Sequence, residues 1–216
     1  AFDSTIEPLM ALFRRGNWTD AEWEKASEAA GPGQWQFHGN GSVTRLHEGA
    51  GLNLDGIAKG YALDQAAVKA FRAGAAALRF NFGGQVLALQ GDPYVVDLEA
   101  PGEAGTCLVS VPLRNGSAST SSQKERFVER PGGRVGHILD PKKGTSVPSS
   151  GAVTVLARTG TEADALSTAM LVLGPDAGFA FLKENFPEAS AVYVLKADGK
   201  WTVRPSEGLS DLVFKQ

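Results

Sequence analysis

In the stretch TEADALSTAM, Asp164 and Thr168 stand four residues apart, so on a helix they lie on one side, with Ser167 adjacent. A carboxylate and hydroxyls in the first turns of an otherwise apolar helix can form part of a hard-cation site. Such a site uses oxygen ligands and suits Mg²⁺, with phosphate and water completing the shell. The same pattern also fits a carboxylate that only complements the helix dipole. A second group lies in NLDGIAKGYALD, residues 53–64. Gly56 allows close backbone approach and leaves its carbonyl open, and Lys59 follows in the first helical turn. A cation there opposes the helix dipole, so it needs an anion, either a nearby carboxylate or a bound phosphate. His137, in GHILDP, follows a strand beside a turn set by Asp140 and Pro141. It could serve as a general base, as a phosphate contact, or as a structural histidine. The hydroxyls of STSS, residues 119–122, could meet phosphate or simply end a strand.

Other chemistries are absent. No GxxxxGK[ST], GxGxxG, HExxH or GxSxG motif occurs, and the three histidines are scattered. One cysteine, Cys107, excludes an internal disulfide and a CxxC metal site. The net charge of −3 comes with no basic run, which argues against a nucleic-acid partner. No apolar stretch approaches the roughly 18 residues that span a bilayer.

The elements that must hold these residues follow from pattern. Ile6, Leu9, Met10 and Phe13 predict a first helix capped by Ser4 or Thr5. Thr19 and Glu22 predict a capping box for a second, ended by Gly31. A hairpin is expected around Gly39-Asn40-Gly41, then a helix from about Gly56 to Arg72. Two strands follow, joined at Gly83-Gly84, then further strands at DPYVVDLEAP, GTCLVSVPL, NGSASTSS, RVGHILDP and GAVTVLART. TEADALSTAMLVLG and PDAGFAFLKENF read as helices, and SAVYVLKADGKWTVRP as a hairpin. Strands outnumber helices and are joined by tight turns. The chain therefore reads as one α+β domain over residues 1–216, with mixed, largely antiparallel sheets and packed helices.

Six segments in this order, AFDSTIEPLMALF, NLDGIAKGYALD, NFGGQVLALQG, STSSQKERF, GHILDPKKG and TEADALSTAMLVLG, resemble the ApbE family of flavin transferases. The resemblance implies a bacterial enzyme, periplasmic or otherwise held at the cell envelope through a lipid anchor. It implies Mg²⁺-dependent cleavage of FAD and transfer of FMN to a Thr or Ser hydroxyl, releasing AMP. The implied acceptor is a flavoprotein subunit of a respiratory or redox complex. On the matching positions, Ala1, Phe2, Asp3, Asn53 and Lys59 fall on flavin-nucleotide contacts. Gly56 through its carbonyl, Asp164 and Thr168 fall on metal ligands, with Ser167 able to assist. His137 and Ile138 line the site, and His137 is the candidate base. FAD hydrolysis to FMN and AMP, or flavin carriage without turnover, are the alternatives the resemblance leaves open.

The chain departs from the family pattern in four places. Asn53 stands where Asp is common, Asp55 where Gly or Asn is usual, and Gln85 where an acidic residue follows the glycine pair. The Gly-Asp-Tyr that often follows Thr-Ser is missing from SSQKERF. Relative to the family, the segment before AFD is expected to be missing.

Overall fold

The computed structural model describes residues 2–123, 126–130, 133–148 and 151–215. Leu9, Met10 and Phe13 form the buried face of helix α1 (Glu7–Arg15). Its start differs from expectation, because Ile6 is the N-cap and no side chain caps the helix. The Thr5 hydroxyl instead donates to Asp3 Oδ1 at 2.5 Å. Helix α2 (Asp20–Ala29) carries the predicted capping box, with the Thr19 and Glu22 side chains each accepting from the other's backbone N–H.

Strands β1 (Trp35–Phe37) and β2 (Val43–Arg45) form the expected hairpin. Helix α3 (Ala58–Arg72) begins two residues after the predicted Gly56, which lies in the preceding turn. Strands β3 (Leu78–Phe82) and β4 (Gln85–Leu89) pair across Gly83 and Gly84. Both glycines have positive φ, 58° and 87°, which a side chain would strain. Six strands follow: β5 (Tyr94–Glu99), β6 (Cys107–Leu113), β7 (Gly116–Ser122), β8 (Phe127–Arg130), β9 (Gly133–Gly136) and β10 (Leu139–Asp140). After β11 (Thr145–Ser146) and β12 (Gly151–Ala157) come helices α4 (Gly160–Leu173) and α5 (Pro175–Asn185). Strands β13 (Ser190–Ala197), β14 (Lys200–Pro205) and β15 (Val213–Phe214) complete the chain.

The main sheet runs β14-β13-β12-β7-β4-β3, every neighbour antiparallel. Its two faces are read by alternation along β13. Ala191 and Tyr193 join Ala163, Leu166 and Met170 of α4, while Val192 and Val194 join Leu98, Val109 and Val111 of a second sheet, β15-β6-β5. Helices thus cover one face and three strands the other, an α+β architecture with largely antiparallel sheets, as the pattern predicted. Helix α3 lies beside α4, its Leu63 and Ala67 packed on Leu87 of β4.

Candidate functional site

The starts of α3 and α4 meet almost without side chains between them. A Cβ added to Gly60 would sit 2.0 Å from the Gly160 carbonyl oxygen, and one on Gly160 would sit 2.5 Å from that of Gly60. This approach brings Asp164, one turn into α4, over the first turn of α3. Its carboxylate is 2% exposed as a residue. Oδ1 accepts from Lys59 Nζ and Oδ2 from the Gly60 N–H, each at 3.0 Å. The anion that Lys59 requires is therefore a carboxylate of the protein, the first of the two options the pattern left open. Asp164 is not a cap of its own helix: Thr159 accepts from Glu162 N–H, and Asp64 of α3 accepts from the N–H groups of Gly160 and Thr161.

Strand β7 supplies the floor. Ser117, Ser119 and Ser121 alternate toward the helices. Ser119 Oγ lies 3.5 Å from Asp164 Oδ1, and Ser121 Oγ lies 2.9 Å from Ser167 Oγ and 3.4 Å from Thr168 Oγ1. Only small residues on this strand let the helix approach so closely. The Ser167 hydroxyl also donates to the Asp164 carbonyl at 2.9 Å, so it is engaged in holding helix to strand. Thr168, only half-buried, faces the Gly56 backbone, where an added Cβ would lie 3.2 Å from its hydroxyl and 2.7 Å from the Phe2 ring.

The side-chain donors here are oxygens, the Asp164 carboxylate and the Thr168 hydroxyl, with the Gly56 backbone beside Thr168. That chemistry fits a hard cation such as Mg²⁺. Among the described residues no three His, Cys, Asp or Glu side chains gather to hold a metal. A cation would therefore rely on a single carboxylate, the neutral oxygens and the anionic oxygens of a ligand.

Asn53 is 8% exposed and ties the residue 2–7 segment to the approach to α3. Its N–H donates to the Ser4 carbonyl at 2.6 Å, and Nδ2 donates to Glu7 Oε2 at 3.1 Å and Asp55 Oδ2 at 3.3 Å. An aspartate at 53 would crowd three carboxylates, so asparagine and Asp55 belong together. Gln85 has a parallel reason. Its Nε2 donates to the Gly160 carbonyl at 2.8 Å, which an ionised acid could not do.

His137 and Ile138 are held through the end of β7. Gln123 accepts from the Ile138 N–H at 2.9 Å and donates to the Ile138 carbonyl at 2.5 Å. His137 Nδ1 lies 3.2 Å from the Arg126 carbonyl. The structure thus gathers Phe2, Gly56, Lys59, Asp164, Ser167 and Thr168. Asp3 and Asn53 sit in the adjoining loops, and His137 meets the Arg126 carbonyl through its backbone N–H and Nδ1. Ala1 lies outside the described residues. Pattern reading missed Asp64, Gln85 and Gln123 as organisers, and for Gln123 the signal was a buried amide directly after a run of hydroxyls. Two clefts of about 270 and 260 Å³ open elsewhere, and neither is lined by a candidate residue.

A family model described as the ApbE family matches residues 1–193. The chain belongs to the ApbE family. Among relatives of this ApbE chain, an FAD:protein FMN transferase of Haemophilus influenzae is 30% identical over 169 residues, covering 74% of the chain and 48% of the relative. One from Treponema pallidum is 33% identical over 191 residues, covering 80% and 50%. The ApbE chain therefore spans about half the length of the curated relatives it matches. Among solved structures, an ApbE protein of Thermotoga maritima aligns with a TM-score of 0.81 at 30% identity, over 95% of this chain and 70% of that one. The apo flavinyl transferase ApbE of Pseudomonas stutzeri aligns at 0.78 and 27%, over 96% and 67%.

Proposed function

We propose that the chain acts as an FAD:protein FMN transferase, moving FMN from FAD to a Thr or Ser hydroxyl of a target flavoprotein and releasing AMP. The observation that carries this reading is the buried Asp164 carboxylate, held between Lys59 and the Gly60 N–H, with the Thr168 hydroxyl one turn on and 3.4 Å from the Asp164 main-chain carbonyl. Relatives named as FAD:protein FMN transferases support it.

In this reading Asp164, Thr168 and the Gly56 carbonyl would hold Mg²⁺. When bound, the ion supplies charge neutralisation for the pyrophosphate and the departing AMP oxygen. Lys59 sits 3.0 Å from Asp164 with its side chain 39% exposed, so its ammonium can also reach a ligand phosphate. The positive end of the α3 dipole adds to this field. Phe2 and Asn53 line the nucleotide's approach.

His137 takes the acceptor proton. Its Nδ1 lies 3.2 Å from the Arg126 carbonyl, which orients the ring. The acceptor oxygen bonds to the FMN phosphorus as the bond from that phosphorus to the bridging oxygen of AMP breaks. The acceptor is a subunit of a respiratory or redox complex, and the protein works at the cell envelope.

The test uses the chain, FAD, Mg²⁺ and an acceptor bearing a Ser/Thr-Gly-Ala-Thr motif. Flavin fluorescence that stays with the denatured acceptor, and is lost in Asp164→Ala, is the expected result. Free FMN and AMP with unlabelled acceptor would replace transfer by hydrolysis. Intact bound FAD would replace it by carriage.

A further inference from the structure

Asp64 has no part in the chemistry just described, yet it is bonded as heavily as Asp164. It projects from the second turn of α3 and accepts three hydrogen bonds at the start of α4. The Gly160 N–H lies at 2.7 Å, the Thr161 N–H at 2.9 Å and the Thr161 hydroxyl at 2.6 Å. Asp164 does the reverse. It projects from α4 and accepts from the Gly60 N–H in the first turn of α3. Each helix therefore receives at its N-terminus a carboxylate from the other. First-turn N–H groups have no intrahelical acceptor, so these bonds fill places that water would otherwise take. The exchange sits where the backbones of Gly60 and Gly160 touch and no side chain can set their spacing.

We propose that Asp64 is a positioning residue: by clamping the first turn of α4 onto α3, it sets Asp164 over the Gly60 N–H and within reach of Lys59. The inference rests on the transferase reading only for its effect on turnover. The geometry it asserts stands or falls separately. Among the described residues the hydrogen bonds of Asp64 run to Gly160 and Thr161, so it acts through the placement of α4. Apolar contacts of Ala163, Leu166 and Met170, the Gln85 amide on the Gly160 carbonyl and the Ser121–Ser167 hydroxyl pair also hold that helix, but none of them engages the Gly160 and Thr161 N–H groups that Asp64 ties to α3.

Asp64→Asn tests this at nearly constant volume. One amide oxygen still accepts, but the NH₂ group now faces the Thr161 donors. Amide exchange of the wild-type and variant chains reads the clamp. Exchange at Gly60, Gly160 and Thr161 should quicken by about tenfold or more, as for a lost charge-assisted bond. Amides of β12 and β13 should keep their wild-type rates. Turnover with FAD, Mg²⁺ and acceptor should fall about 10²-fold in kcat/KM, the scale of a misplacement near 1 Å. In a Lys59→Met background the further loss from Asp64→Asn should shrink to less than about threefold, because both changes then disable one arrangement.

A uniform quickening across the fold, unchanged exchange at Gly60, or multiplicative losses in the double variant would each overturn the proposal. Should Asp64→Asn not fold, the wild-type chain still decides. The proposal requires Gly160 and Thr161 to be protected together with Gly60, and free exchange of these first-turn amides would overturn it. A wild-type chain with the expected exchange pattern and no labelled acceptor would sink the transferase reading and leave the clamp in place.

Discussion

Gly60→Ala sets helix propensity against packing. In an open helix the change stabilises by about 0.5–1 kcal/mol, because glycine loses more backbone freedom on folding. Here the new Cβ would lie 2.0 Å from the Gly160 carbonyl oxygen and 2.7 Å from the Thr161 nitrogen. Both are backbone atoms on a buried helix start, so neither can swing aside. Reaching even 3.0 Å from that oxygen, the limit below which real Cβ contacts essentially never occur, forces the helices apart by about 1 Å. The Gly60 N–H to Asp164 bond, now 3.0 Å, then leaves hydrogen-bonding range. Overpacking of this kind costs roughly 1–3 kcal/mol, and losing a bond to a charged acceptor roughly 1.5–3 kcal/mol. After the propensity gain, the net loss is about 2–5 kcal/mol, or roughly 4–20 °C in Tm for a chain of this length. Urea unfolding followed by tryptophan fluorescence measures it, with FAD affinity recorded on the same samples. Gly33→Ala is the control, since no atom lies within 4 Å of its added Cβ. It should stay within about 0.5 kcal/mol of wild type. A Gly60→Ala chain as stable as wild type, with FAD affinity intact, would refute the close-contact reasoning.

Three further outcomes are expected. Lys59→Met should lower FAD affinity by about tenfold or more, as for a lost charge-assisted contact, and unchanged binding would remove its phosphate role. Because the side chain of its partner Asp164 is 3% exposed, the variant strands a buried carboxylate on its remaining N–H and hydroxyl contacts, and stability should fall by roughly 1–3 kcal/mol. Tyr193→Phe should destabilise by about 1–3 kcal/mol in urea melts, since its buried hydroxyl serves the carbonyls of Met170 at 2.7 Å and Gly174 at 3.0 Å. Glu22 is held down to about 2, first by the Thr19 N–H and then by Arg15, from an ordinary 4.5. A depressed carboxyl stabilises the fold above pH 4.5 and loses that contribution as pH falls toward 2. Thermal melts of Glu22→Gln across this window should therefore fall less steeply than those of wild type, and parallel curves would contradict the capping-box account.

How much was legible depended on range. Local signals read well: the Thr19–Glu22 box, the Gly83-Gly84 turn, and the Asp164–Thr168 spacing on α4 all stand where pattern put them. The start of α1 did not, because Thr5 turns its hydroxyl to Asp3 and leaves Ile6 at the cap position. The start of α3 slipped to Ala58 because Gly56 is needed in the turn against Phe2 and Thr168. Lys59 announced that it needed an anion, but its partner lies 105 residues on, and no window of sequence contains both. Asp64 is hidden for the same reason, with partners 96 and 97 residues away. The seryl floor of β7 was visible as hydroxyls, yet only its pairing between β12 and β4 turns alternate ones toward α4.

The contact of Gly60 with Gly160 also shapes how this site could be re-engineered. Each glycine is blocked by the other's backbone, so enlarging either fails, and enlarging both adds bulk twice at one spot. A saturation library would show two intolerant positions that no second-site change between them restores. The surrounding hydroxyls of β7 are different, since side chains of similar size can trade places there. Retuning the site for another ligand would have to proceed from that strand and the Phe2 loop, with the two helix starts left untouched.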